Sequence, residues 1–195
     1  FWNLAALAAV DDGLLALDEK VAETIPSWRT DRRKAEVTIR QLLDFSCGLA
    51  PGFSLQQNEY GNRDRAALQL PMVAQPGAAF IYGPSALQVF HQVLKTKLGD
   101  KTPTHYLERR VLRRLGLGPQ RYLEDRAGNP LLAAGFTLSA RQWVKMGELV
   151  LAQGKPVVKP ETLAQTWRGP PAKPPFPLAS RNTPPPPGRR AVAFG

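Results

Sequence analysis

The sequence predicts a mostly helical domain with few strands, residues 1–168, followed by a proline-rich tail, residues 169–195. Three observations lead there. Apolar residues recur at helical spacing in several windows, each bounded by a capping residue, a glycine or a proline. Extended patterning is confined to one short run, residues 79–82. Hydrophobic residues make up 43% of the 195, enough for a core, and no stretch reaches the roughly 18 apolar residues of a membrane span.

The elements follow in order. Trp2, Ala5, Ala6 and Ala9 share a helical face, and Gly13 stops that helix after Asp11-Asp12. Residues 17–25 offer a short helical turn ended by Pro26, and 28–36 read as a polar loop. Thr38 and Gln41 form a capping box, each side chain satisfying a backbone N–H left unpaired at the helix start. Ile39, Leu42 and Leu43 then face the core, with Gly48 as the stop. Residues 50–70 read as a long irregular surface stretch. Pro76-Gly77 marks a turn before the extended run, and Pro84 enters the first turn of a helix lined by Leu87, Phe90, Leu94 and Leu98. Thr102-Pro103 opens the next helix, with Leu107, Val111 and Leu115 on one face and Gly116 ending it. Ser139 caps a last helix, in which Trp143, Met146 and Val150 recur at helical spacing; Trp2, Trp143 and Met146 are expected in the core.

The tail differs in kind. Nine of the 19 prolines lie between Gly169 and Pro187, a density that excludes a helix or an interior strand. Of the net charge of +10, half comes from Arg168, Lys173, Arg181, Arg189 and Arg190, with no acidic residue after Glu161. Two origins suit this double change, a true proline-rich linker or a change of reading frame near residue 172, and the latter is preferred. The remaining basic runs suit solvated helix faces, so no nucleic-acid partner is expected. Cys47 stands alone and has no partner for an internal disulfide; no zinc pattern, other metal site or cofactor-binding loop is present, and no cofactor is expected. His91, between apolar Phe90 and Val93 on a helix, reads as packed or surface rather than catalytic, and His105 as exposed in a first turn.

Several segments in sequence resemble the serine β-lactamase-like family, which includes the penicillin-binding proteins and class C β-lactamases. Thr38-Ile39-Arg40-Gln41-Leu42-Leu43 with Ser46-Cys47-Gly48-Leu49 resembles its T-I-R-x-L-L-x-x-x-S-G-L stretch, with Cys47 where serine is usual. Pro76-Gly77 to Phe80-Ile81-Tyr82 resembles its P-G-x-x-F-x-Y run. Tyr106-Leu107 through Leu117, Ala134 through Ala140 and Pro160-Glu161-Thr162-Leu163 resemble three further segments in the family's order. The resemblance implies an α/β (α+β) β-lactamase/transpeptidase-like fold in two parts, an antiparallel sheet built from both chain ends and a helical domain inserted between. The chain then covers mainly the helical part and is expected to be truncated at both ends.

The resemblance also implies a chemistry. Family members cleave amides or esters of small molecules or peptides through an acyl-serine. The serine and a lysine one helical turn later come from S-x-x-K, a tyrosine from Y-x-N, and the opposite wall from K-T-G or H-x-G. Here no serine has lysine three places on, and neither Lys95-Thr96 nor Lys101-Thr102 is followed by glycine. The family's S-x-x-K is expected just before Phe1. Tyr82 falls at the catalytic tyrosine position, but Pro84 stands where asparagine is usual, and proline has no side-chain amide to hold a substrate. The expectation is a catalytically inactive remnant of a β-lactamase-related serine hydrolase, with the intact parent periplasmic or secreted. The alternative is a non-catalytic helical binding or scaffold module. Oligomeric state stays open.

Overall fold

The computed structural model describes residues 1–57, 61–134 and 137–167. These contain eight α-helices: α1 (Trp2–Asp11), α2 (Val21–Thr24), α3 (Ile39–Leu43), α4 (Arg63–Gln69), α5 (Pro84–Leu98), α6 (Pro103–Leu107), α7 (Ala140–Leu151) and α8 (Pro160–Ala164). Extended pairing among the described residues is limited to isolated bridges, Lys20 with Thr38, Leu49 with Met72 and Glu124 with Pro130. The run 79–82, expected to be extended, pairs into no strand among the described residues. The tail, residues 169–195, lies outside the described residues, so the division at 168/169 stays an expectation.

α1 is apolar through its middle: Trp2 and every residue from Leu4 to Ala9 are buried, with Asn3 exposed. A helix buried over so much of its surface needs neighbours on several sides. α6, α8 and the π-helical stretch Glu108–Leu112 that continues α6 pack against it. Its C-terminal end is clamped by charge. Asp12 accepts from Tyr106 Oη at 2.7 Å and from Arg110 Nε and Nη2 at 2.8 and 2.7 Å. Asp11 accepts from the Lys159 backbone N–H and the Thr162 hydroxyl, which ties α8 to the same end. The Arg110 hydrogen bonds hold the Asp12 carboxyl below the usual carboxylate range.

α5 is the second organising helix, packed on α2, α3, α4 and α6. Its buried face is broader than the apolar spacing suggests, since Gln88, Val89, His91 and Val93 join Phe90 and Leu94. The capping box of α3 forms as expected, Thr38 Oγ1 accepting from the Gln41 N–H and Gln41 Oε1 from the Thr38 N–H.

Three expectations need correction. The stretch 50–70 is not wholly irregular or superficial: it contains α4 and a 3-10 turn (Phe53–Gln56), and Leu55, Arg63, Asp64 and Ala67 are buried. Buried hydrogen bonds, not apolar periodicity, hold it in. Arg63 Nε donates to Leu55 O at 2.8 Å, and the Arg63 N–H to Asp125 Oδ2 at 2.6 Å. Trp28, read as part of a polar loop, is 1% exposed and donates through Nε1 to Leu68 O. On α7 the apolar face is turned outward: Trp143, Val144, Val150 and Leu151 are exposed, Met146 is half-buried and Leu149 is buried. Trp143 meets the molecule through the Phe1 ring, 5.5 Å centroid to centroid.

Candidate active site

Tyr82 lies at the end of the extended run, immediately before α5. Two backbone contacts place it. The Ile81 N–H donates to Phe45 O at 2.8 Å, and the Ser85 N–H to Pro51 O at 3.2 Å. Gly83 lies so close to Pro51 that an added Cβ would sit 2.2 Å from Pro51 O, so only glycine allows the chain to pass here. Sequence spacing alone does not reveal that constraint.

Tyr82 itself is 64% exposed, and its ring rests against Phe45, 5.5 Å between centroids. Phe80 packs edge-on against the same ring at 5.8 Å and is 49% exposed. Phe80 and Tyr82 both meet Phe45, the arrangement that F-x-Y spacing favours in a run whose side chains alternate. Phe45 had no such signal. It adopts φ +60°, the left-handed region, which costs a non-glycine residue roughly 1–2 kcal/mol. The backbone around it is fixed by several bonds: the Ser46 N–H donates to Gln41 O at 3.0 Å, and the Gly77 N–H to Ser46 O at 2.8 Å. The Ser46 hydroxyl is taken up by Asp44 Oδ1 at 2.6 Å.

The other candidates are held away from this surface chemistry. Cys47 is 1% exposed, and burial pushes its thiol up to about 11, so the thiolate is scarce at neutral pH. His91 is 2% exposed and its Nδ1 lies 2.8 Å from Asp64 Oδ2, while Gln88 Nε2 donates to Asp64 Oδ1 at 2.7 Å. This His–Asp pair lies in the core between α4 and α5, beside the Trp2 ring. No serine or cysteine hydrogen-bonds to it among the described residues. His105 is exposed, as expected. No group of three His, Cys, Asp or Glu side chains could hold a metal ion among the described residues, nor is any described helix long and apolar enough to cross a membrane.

Comparison with known proteins adds the family. A beta-lactamase family profile matches residues 2–190. No match was found among curated proteins. Among solved structures, the chain is similar to a presumed beta-lactamase from Bacteroides dorei, with 23% identity and TM-score 0.66, over 83% of this chain and 51% of that one. A similar match is the octameric penicillin-binding protein homologue from Pyrococcus abyssi, with 19% identity and TM-score 0.60, over 83% and 45%. A third is a D-stereospecific amidohydrolase from a Streptomyces species, with 17% identity and TM-score 0.62, over 83% and 60%. The chain thus spans about half the length of the structures it matches. The fold shared with these structures and the match along nearly the whole sequence agree with the motif order from Thr38 to Leu163, and the chain belongs to the beta-lactamase family.

Proposed function

We propose that this chain is the helical portion of a β-lactamase-related serine hydrolase, in which Tyr82 marks the catalytic tyrosine position, and that the chain by itself performs no acyl transfer. One observation carries the proposal: none of its six serines has a lysine three residues on, so the hydroxyl lacks the base that one helical turn would bring beside it. The remaining nucleophile chemistry supports the same reading. Cys47 is buried as a thiol, and the one histidine paired with a carboxylate, His91, is enclosed in the core. Tyr82 is exposed at a preformed turn, which suits a residue that lines a site wall.

The intact relative would act on amides or esters of small molecules or peptides. For this chain, incubation with a chromogenic β-lactam and with 4-nitrophenyl acetate is expected to give the buffer rate, with no initial burst. A burst stoichiometric with protein, lost on substitution of one serine, would overturn the proposal. A second reading, a binding or scaffold module, is favoured by the outward apolar face of α7. A concentration-dependent shift in sedimentation, abolished by Leu151→Glu, would support it.

A further inference from the structure

We propose that a cavity at the C-terminal end of α1 binds a soluble phosphate-bearing small molecule. Its walls come from the end of α1, from the helical stretch that continues α6 and from residues 155–160, and neither Tyr82 nor its aromatic neighbours line it. It has a volume of about 330 Å³ and opens to solvent. That lies at the lower end of small-molecule sites, roughly 300–1,000 Å³. Four basic side chains, Arg110, Arg114, Lys155 and Lys159, line it together with two carboxylates, Asp11 and Asp12, which leaves an excess of two positive charges. A phosphate dianion carries the charge that balances this excess.

The hydrogen bonds divide the lining into groups already engaged and groups still available. Asp12 is taken up by Arg110 and Tyr106, and Asp11 by the Lys159 N–H and the Thr162 hydroxyl. Arg114 donates through Nη1, to Pro156 O at 2.9 Å, which leaves the rest of its guanidinium available. Lys155 and Lys159 are exposed, and their ammonium groups meet no acceptor among the described residues. The loop that carries both lysines is itself held in place, since Arg110 also donates to Val157 O at 3.3 Å. The cations therefore gather at one opening on a fixed backbone. Arg114 and Lys155 also line an adjoining cavity of about 280 Å³, where Lys145 adds a further cation opposite Glu148. Low-dielectric walls focus the field of such a cluster on a bound anion. A guanidinium fork with two lysine point charges suits the several oxygens of a phosphate; a single carboxylate would leave half of the excess charge unanswered.

An NMR titration of the backbone amides of the full chain tests this, with inorganic phosphate as the probe, acetate as the singly charged comparison and ionic strength held constant. The amide signals of Arg114, Lys155 and Lys159 are expected to shift saturably with phosphate and far less with acetate. Lys155→Ala and Lys159→Ala remove exposed side chains that hold nothing else, so the rest of the spectrum should persist. Each is expected to weaken phosphate binding about tenfold, the loss of one charge-assisted hydrogen bond, and weakening in either sustains the site. Lys101→Ala, which removes the same charge at an exposed position outside the cavity, is expected to leave the affinity unchanged. The proposal is overturned by the absence of a saturable shift, by equal shifts with acetate, by full affinity in both lysine variants, or by an equal loss in Lys101→Ala. Co-sedimentation with phosphatidic acid vesicles that depends on Lys155 and Lys159 would overturn the soluble ligand in favour of a lipid headgroup.

Discussion

Asp64 gathers the buried polar contacts of α4 and α5, accepting from Gln88 and pairing with His91 while only 1% exposed. Removing Asp64 strands the buried hydrogen-bonding groups of Gln88 and His91, at about 1–3 kcal/mol. Asp64→Ala is therefore expected to lower the urea-extrapolated unfolding free energy by about that amount. The sequence left His91 as packed or surface; it revealed neither its burial nor its partner, because Asp64 lies 27 residues away within a stretch that reads as surface loop. Asp12 behaves differently. Its carboxyl is held low by Arg110 hydrogen bonds, with Tyr106 adding another against the burial that raises it. Asp125 is low too: burial would raise it, but the Arg63 and Asn129 backbone N–H groups outweigh that. A carboxyl depressed in the folded state adds stability that is present above its unfolded value near about 3.9 and lost as pH falls through the folded one. The urea midpoint should thus fall as the pH drops below about 5, and Asp12→Asn should flatten that fall while lowering the midpoint at neutral pH. An unchanged slope in the variant would show that the Asp12 clamp does not contribute.

At the scale of elements, local chemistry was easier to read than burial. The Thr38–Gln41 capping box was plain because both partners lie within one turn, and Thr38→Ala is expected to cost about 1 kcal/mol in stability, read from the shift in melting temperature. α4 was missed because Arg63 and Asp64 look like surface residues; their burial depends on contacts with Asp125, Gln88 and His91 that no local pattern encodes. α7 shows the opposite limit. Periodicity identified an apolar face, but periodicity does not say what covers a face, and here Val144, Val150 and Leu151 point outward. Such a face favours self-association. Leu151→Glu, at a position 85% exposed, is expected to raise the concentration at which the protein stays monomeric while leaving the melting temperature within about 0.5 kcal/mol equivalent of the original.

For the whole molecule, the motif order from Thr38 to Leu163 revealed the family, and the helical content follows from the windows that the apolar spacing marks. The aromatic cluster around Tyr82 was only half visible: the F-x-Y alternation places two rings, and the third comes from the strained turn at Phe45. Gly83 shows a similar gap, since its role depends on the approach of Pro51 from a distant loop. The chain's relation to the hydrolases rests on fold and sequence order; its own chemistry rests on the serines. Intact-mass measurement after prolonged incubation with a penicillin tests that claim most directly, because acylation of any serine adds the whole β-lactam mass. The expected result is an unchanged protein mass; a stoichiometric gain that maps to one serine would contradict the account.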